Sequence, residues 1–230
     1  SLHIYSSAEI GVAFWNWLCA MKKSDLVLSI LKETRVISII RGVDPIHVNR
    51  VINSLADGGI RLLEITLNSE NALSIIEEQQ ERKDLVVGAG TVLNLSEAKA
   101  AIDAGAAFIL APTLDPEVVS YCVERDILVV PGVFTPTEVL NAHNLGAKLI
   151  KIFPAGGIGP QYIKDLLGPL NGIALLPVGG ITIENTPIFM KAGAFAVGVG
   201  SYLANPALAK EQNWQEITRR SKAFISAARI

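Results

Sequence analysis

The residue that constrains this chain most is a lysine inside an apolar run. In residues 147–160, AKLIKIFPAGGIGP, Leu149, Ile150, Ile152 and Phe153 are strand-forming apolar residues, bounded by Gly146 before and by Pro154 and a glycine pair after. The run reads as a buried strand with Lys151 inside it. Side chains alternate along a strand, so Leu149, Lys151 and Phe153 share one face and Ile150 and Ile152 the other. An isolated ammonium is costly to bury, so such a lysine is either paired with a carboxylate or partly neutral. An ordinary lysine has a pKa of about 10.4; a depression of about 3 units leaves tens of per cent as free amine at pH 7 and costs about 4 kcal/mol. A neutral amine of this kind attacks carbonyls and forms Schiff bases. The alternative is a lysine near the strand end that reaches solvent, or that pairs with an acid for structural reasons.

The matching carboxylate is Glu64, in RLLEIT, on the same strand face as Leu62 and Thr66. With Lys151 as the nearest candidate cation, a structural ion pair and a catalytic pair have the same appearance in sequence. Arg41, in IIRG, either caps a strand end or holds a carboxylate or phosphate through two hydrogen bonds. Thr91, after GAG, either caps the next helix or touches substrate. Gly179-Gly180 and Gly200-Ser201 end two further apolar runs, where backbone N–H groups and helix N-termini can meet an anion without side-chain obstruction.

The elements that must carry these residues form a repeat. Apolar, β-rich runs fall at 35–40, 61–66, 85–90, 107–111, 127–132, 148–153, 174–180 and 194–200, separated by turn residues and helical stretches. Several of the intervening helices end in glycine just before the next run, as in LADGGIRLLEI, AIDAGAAFIL, AHNLGAKLI and MKAGAFAVG, where glycine supplies a left-handed helix end. Eight such units predict an α/β fold, a single-domain (β/α)8 TIM barrel over 21–230, rather than an open doubly wound sheet. In such barrels the active site lies at the C-terminal ends of the strands, where Arg41, Glu64, Asn68, Thr91, Pro112, Phe153, Lys151 and the glycine pairs all fall. After residue 204 the chain reads as one or two helices that finish the ring.

Composition narrows the function. The 230 residues are half hydrophobic, with 19 glycines and a net charge of −2. Opposite charges are interspersed, and no basic stripe suits nucleic acid or an anionic membrane. Cys19 and Cys122 form no metal or redox motif, so a reducing cytoplasm is the expected compartment. His3, His47 and His143 are scattered, which argues against a histidine-based zinc centre. Residues 1–20 are read as an N-terminal appendage, since IGVAFWNWLCAM is too short to span a bilayer and lacks the marks of a signal peptide. A helix is expected to start after Met21, with Ser24 as its N-cap.

Taken together, IIRG, LEITLNS, VGAGTVLN, IKIFPA followed by GPQYIKDL, LPVGGIT and VGVGSYL resemble the class I aldolases acting on 2-keto-3-deoxy-6-phosphogluconate, its galactonate epimer and 4-hydroxy-2-oxoglutarate. The resemblance spans roughly residues 22 to 225. It implies Lys151 as the Schiff-base lysine and Glu64 as general acid/base. It further implies that Thr91 and Phe153 line a pyruvate pocket, that Pro112 shapes it, and that Gly179, Gly180, Gly200 and Ser201 hold the phosphate. It implies a homotrimer, no cofactor and no metal. Asn68 stands where gluconate-type members carry a carboxylate-gripping arginine, and Val178 where they often carry threonine. These two and IGPQYIK resemble the galactonate type, whereas Pro177 and FPA resemble the gluconate type. Carboxylate binding then falls to Arg41 and Thr91. Two rival readings are a phosphosugar isomerase or epimerase, using Glu64 without a covalent lysine intermediate, and a non-catalytic sugar-phosphate-binding barrel.

Overall fold

The computed structural model describes residues 22–229. The proposed appendage at 1–20 lies outside them. Each of the eight apolar runs contributes strand, but the fifth is split. The strands are β1 (Val36–Ile40), β2 (Leu62–Thr66), β3 (Val86–Gly90), β4 (Phe108–Leu110), β5 (Leu128–Val130), β6 (Gly132–Val133), β7 (Ile150–Ile152), β8 (Leu175–Pro177) and β9 (Val197–Val199). Pro131 separates β5 from β6. It has no N–H to give to a ladder, so the strand is interrupted at that point. Every paired strand is parallel, in the orders β5-β4-β3-β2-β1-β9 and β6-β7-β8. A parallel bridge between Val178 and Gly198 joins the end of β8 to β9. The result is a single-domain α/β fold on a parallel sheet.

The helices are α1 (Lys23–Thr34), α2 (Pro45–Asp57), α3 (Ala72–Glu78), α4 (Leu95–Asp103), α5 (Pro116–Glu124), α6 (Pro136–Asn144), α7 (Gly159–Leu167), α8 (Thr186–Lys191), α9 (Pro206–Lys210) and α10 (Trp214–Ala228). The region after residue 204 thus holds two helices. Gly59, Gly105, Gly146 and Gly193 all have positive φ. In each case the following N–H reaches back five residues, as Ile60 does to the Leu55 carbonyl, which satisfies an otherwise orphaned helix-end group. Asp126 (φ +55) makes the same turn after α5 without glycine. None of the helices among the described residues is long and apolar enough to cross a membrane.

Two apolar clusters lie on the two strand faces. Val36, Ile40, Leu63, Ile65, Ile150 and Ile152 belong to the larger, which also takes in the inward residues of the helices. Ile37, Ile39, Leu62, Phe108, Leu149 and Leu176 belong to the smaller, closed by Val27 and Leu31 of α1. The face shared by Leu149 and Lys151, and by Leu62 and Glu64, is therefore the one turned away from the surrounding helices. Ser24 is not the N-cap expected. α1 starts one residue earlier, at Lys23, and the Ser24 hydroxyl instead donates to Asp126 Oδ1 at 2.5 Å. Asp126 also accepts from the Lys23 N–H at 2.5 Å, so a side chain from the loop before β5 caps α1.

Candidate active site

Strand parity brings the two ionisable residues inside. Glu64 on β2 is fully buried and Lys151 on β7 is 3% exposed. Neither oxygen of Glu64 has a hydrogen-bond partner among the described residues. Burial pushes the Glu64 carboxyl above the usual range, against the opposing pull of the Lys151 and Arg41 cations. Burial likewise pushes the Lys151 amine below the usual lysine range; Glu64 opposes this and Arg41 adds to it. Both shifts run toward the neutral forms, a free amine and a protonated acid, which is the state a carbonyl-attacking lysine requires. The Lys151 Nζ also lies over the Phe153 ring, 4.8 Å from its centre.

The room for Glu64 comes from its neighbour strand. Of the three inward positions of β3, Val86, Gly88 and Gly90, the last two are glycine, and their missing side chains are replaced from either side. A Cβ on Gly88 would lie 2.5 Å from the Phe108 ring; one on Gly90 would lie 1.6 Å from Glu64 Oε1 and 2.4 Å from its Cγ. Gly90 was not among the expected site residues. Its signal was the alternation in VGAG, since glycine in a strand interior marks close approach of another group.

Arg41 leaves the end of β1, and its Nη2 donates to Thr91 Oγ1 at 3.1 Å. Thr91 has φ +56, a left-handed conformation rare for a β-branched residue, with a cost on the order of 1–3 kcal/mol. It does not cap the next helix: Asn94 caps α4 by accepting from the Glu97 N–H. The chain around Arg41 is held on both sides. Thr66 Oγ1 donates to the Ile40 carbonyl, and Ser69 Oγ accepts from the Gly42 N–H, with the two hydroxyls 2.8 Å apart.

A cavity of about 290 Å³ opens at the strand ends. Of the expected residues, Arg41, Phe153, Val178, Gly179, Gly180, Gly200 and Ser201 line it, joined by Ile39, Ile181, Gly198 and Tyr202. Phe153 connects it to Lys151, and Arg41 connects it to Thr91. Asn68 and Pro112 are not among its lining residues: Asn68 is exposed on the turn after β2, and the Pro112 backbone packs where a Gly132 Cβ would sit. Nor do helix N-termini abut the glycine pairs as expected. α8 starts at Thr186 and α9 at Pro206, so the segments beside the cavity are turns. Gly179 (φ +92) and Gly180 (φ +69) occupy conformations that favour glycine.

Comparisons with known proteins identify what the chain is similar to. The family model described as KDPG and KHG aldolase matches residues 27–220. The 2-dehydro-3-deoxy-6-phosphogalactonate aldolase of Escherichia coli K12 is 35% identical over 196 residues, 84% of this chain and 95% of that protein. A solved structure described as native KDPGal is 33% identical with a TM-score of 0.77, covering 84% of this chain and 94% of that one. KDPG aldolase from Legionella pneumophila, solved with pyruvate captured as a covalent carbinolamine, is 25% identical with a TM-score of 0.78 over 86% of this chain and 97% of its own. A buried lysine and carboxylate on a parallel α/β scaffold, matched over most of the sequence, place this chain in the KDPG and KHG aldolase family.

Proposed function

We propose that the protein is a metal-independent, Schiff-base aldolase, a carbon–carbon lyase. It cleaves a 2-keto-3-deoxy-6-phospho sugar acid of the gluconate or galactonate series to pyruvate and glyceraldehyde 3-phosphate. 4-Hydroxy-2-oxoglutarate, which would give pyruvate and glyoxylate, is a further substrate of this reading. The observation that carries it is the buried amine of Lys151 on the same strand face as a buried Glu64 that has no hydrogen-bond partner among the described residues.

The free amine of Lys151 adds to the C2 carbonyl to give a carbinolamine; the protonated Glu64 gives its proton to the departing hydroxyl, which leaves as water, so that a protonated imine and the Glu64 carboxylate remain. Glu64 as carboxylate takes the C4 hydroxyl proton. The C3–C4 electron pair then moves into the imine, releasing the aldehyde and leaving an enamine. Protonation at C3 and hydrolysis by water return pyruvate and the free lysine. Arg41 and Thr91 hold the substrate carboxylate, Phe153 and Pro112 bound the pyruvate pocket, and Val178 borders the sugar-acid chain. Gly179, Gly180, Gly200 and Ser201 hold the phosphate.

Three coarser features belong to the same reading. The strands close as a (β/α)8 barrel, a view supported by the Val178–Gly198 bridge and by the single proline between β5 and β6. The chain works in the cytoplasm. It assembles as a homotrimer, for which light scattering should return about three times the chain mass of 24.6 kDa.

The test is borohydride reduction in the presence of pyruvate, followed by intact mass and peptide sequencing. A pyruvate-derived adduct on Lys151 is expected, lost in Lys151→Ala and kept in Glu64→Gln, whose turnover falls by roughly 10²-fold or more. Normal turnover in Lys151→Ala would sink the reading.

A further inference from the structure

We propose that Gly156 is a positioning residue: its backbone contact with Gly180 sets the phosphate-binding turn at a fixed distance from Lys151 and so selects phosphorylated aldehydes. The proposal rests on the reading of Gly179 and Gly180 as phosphate contacts.

Gly156 follows Lys151 by five residues, on the loop that leaves β7. Two contacts tie this loop to the end of β8. The Ala155 N–H donates to the Val178 carbonyl at 2.8 Å. Next to it, Gly156 and Gly180 touch backbone to backbone. A Cβ on Gly156 would lie 2.9 Å from Gly180 Cα and 3.0 Å from the Gly179 carbonyl oxygen; one on Gly180 would lie 2.8 Å from Gly156 Cα. Nothing there is the end of a flexible side chain, so an added methyl must move the turn itself. The turn has little freedom to adapt, because Asn185 Nδ2 holds the Gly180 carbonyl at 2.8 Å and the Phe153 ring lies 3.5 Å from a Gly179 Cβ. The lysine strand and the phosphate turn are thus built as one rigid spacer, and a displacement of the order of 1 Å between reacting groups costs up to about 10²-fold in rate.

The chain supplies its own control. Gly157 has nothing within 4 Å of its Cβ position, and neither Gly156 nor Gly157 has a positive φ, so alanine suits the backbone at both. Only at 156 does it meet the turn.

The experiment is run in the condensing direction, with pyruvate and either D-glyceraldehyde 3-phosphate or D-glyceraldehyde. In Gly156→Ala the KM for glyceraldehyde 3-phosphate should rise roughly 10- to 100-fold. The KM for pyruvate, the borohydride adduct on Lys151 and the rate with unphosphorylated glyceraldehyde should stay at wild-type values. Gly157→Ala should match wild type throughout. Equal effects of the two alanines, or a pyruvate KM that moves in step, would overturn the proposal. A wild-type enzyme indifferent to the aldehyde's phosphate would overturn the phosphate-contact reading first, before any variant is compared. Independently of variant folding, inorganic phosphate titrated into wild-type protein should shift the Gly179, Gly180 and Gly156 amide resonances together. A stationary Gly156 resonance would count against it.

Discussion

At the scale of single residues, the site is governed by what burial does to two ionisable groups. Because Lys151 is held below the ordinary lysine range mainly by burial, its reactive amine fraction rises with pH and saturates early. The initial rate of pyruvate trapping should therefore climb with pH and level off with a midpoint below the ordinary value of about 10.4. A midpoint at or above that value would show that the folded protein does not favour the free amine. The Arg41 cation pushes in the same direction, so Arg41→Ala should raise this midpoint while weakening pyruvate binding, as read from the trapping curve at several pyruvate concentrations. Gly90 is the other residue on which the site turns. Alanine there would overlap Glu64 Oε1, and turnover should fall by roughly 10²-fold from misplacement of the acid/base group, whereas trapping on Lys151 continues. Equal loss of both activities would instead indicate a general collapse of the strand.

At the scale of elements, strand periodicity already told which face Lys151 and Glu64 share, because alternate side chains must point the same way and the flanking residues were apolar. The glycine-ended helices were equally legible, since their left-handed turns have a local chemical signature. What could not be read is what depends on a neighbour distant in sequence. Asp126 adopts the same turn without glycine, and its carboxylate caps a helix more than a hundred residues earlier. Ser24, locally a good N-cap, lost that role to this long-range partner. The space for Glu64 is likewise supplied by a different strand, and the strained Thr91 is fixed by its bond to Arg41. The cap should matter for stability alone. Asp126→Ala removes both hydrogen bonds and places alanine at a positive φ, so urea unfolding should show a loss of about 1–2 kcal/mol. Since α1 packs at the end where the strands begin, kcat should be unchanged; a lower kcat would mean that the two ends of the sheet are coupled.

For the whole molecule, the question is whether the sheet has a free edge. If the strands close into a barrel, the segment at β9 is an interior stave rather than a border. The Phe195 N–H bonds to the Leu175 carbonyl and the Val197 N–H to the Arg35 carbonyl, both at 2.9 Å, so β9 is engaged on each side. Amide exchange at these two positions should be as slow as at Leu63 in the centre of the six-stranded sheet. Fast exchange at Phe195 alone would mark an open seam between β8 and β9. The proline break between β5 and β6 need not weaken this ring, because Ala111 N–H still reaches Val130 and Lys151 N–H still reaches Pro131, keeping the neighbouring strands attached across it.

The carboxylate of β2 and the bare position of β3 that receives it also have a consequence for how the sequence can change. Positions 64 and 90 are one unit of variation. Alanine at 90 is penalised chiefly while a long side chain stands at 64, because the three nearest atoms it would meet, Oε1, Cδ and Cγ of Glu64, all lie beyond that residue's Cβ. In a Glu64→Ala background the same Gly90→Ala step should cost little, and a double-mutant cycle on stability should show strong non-additivity. A lineage that abandoned this chemistry would first lose the acid, and only then become free to fill the glycine.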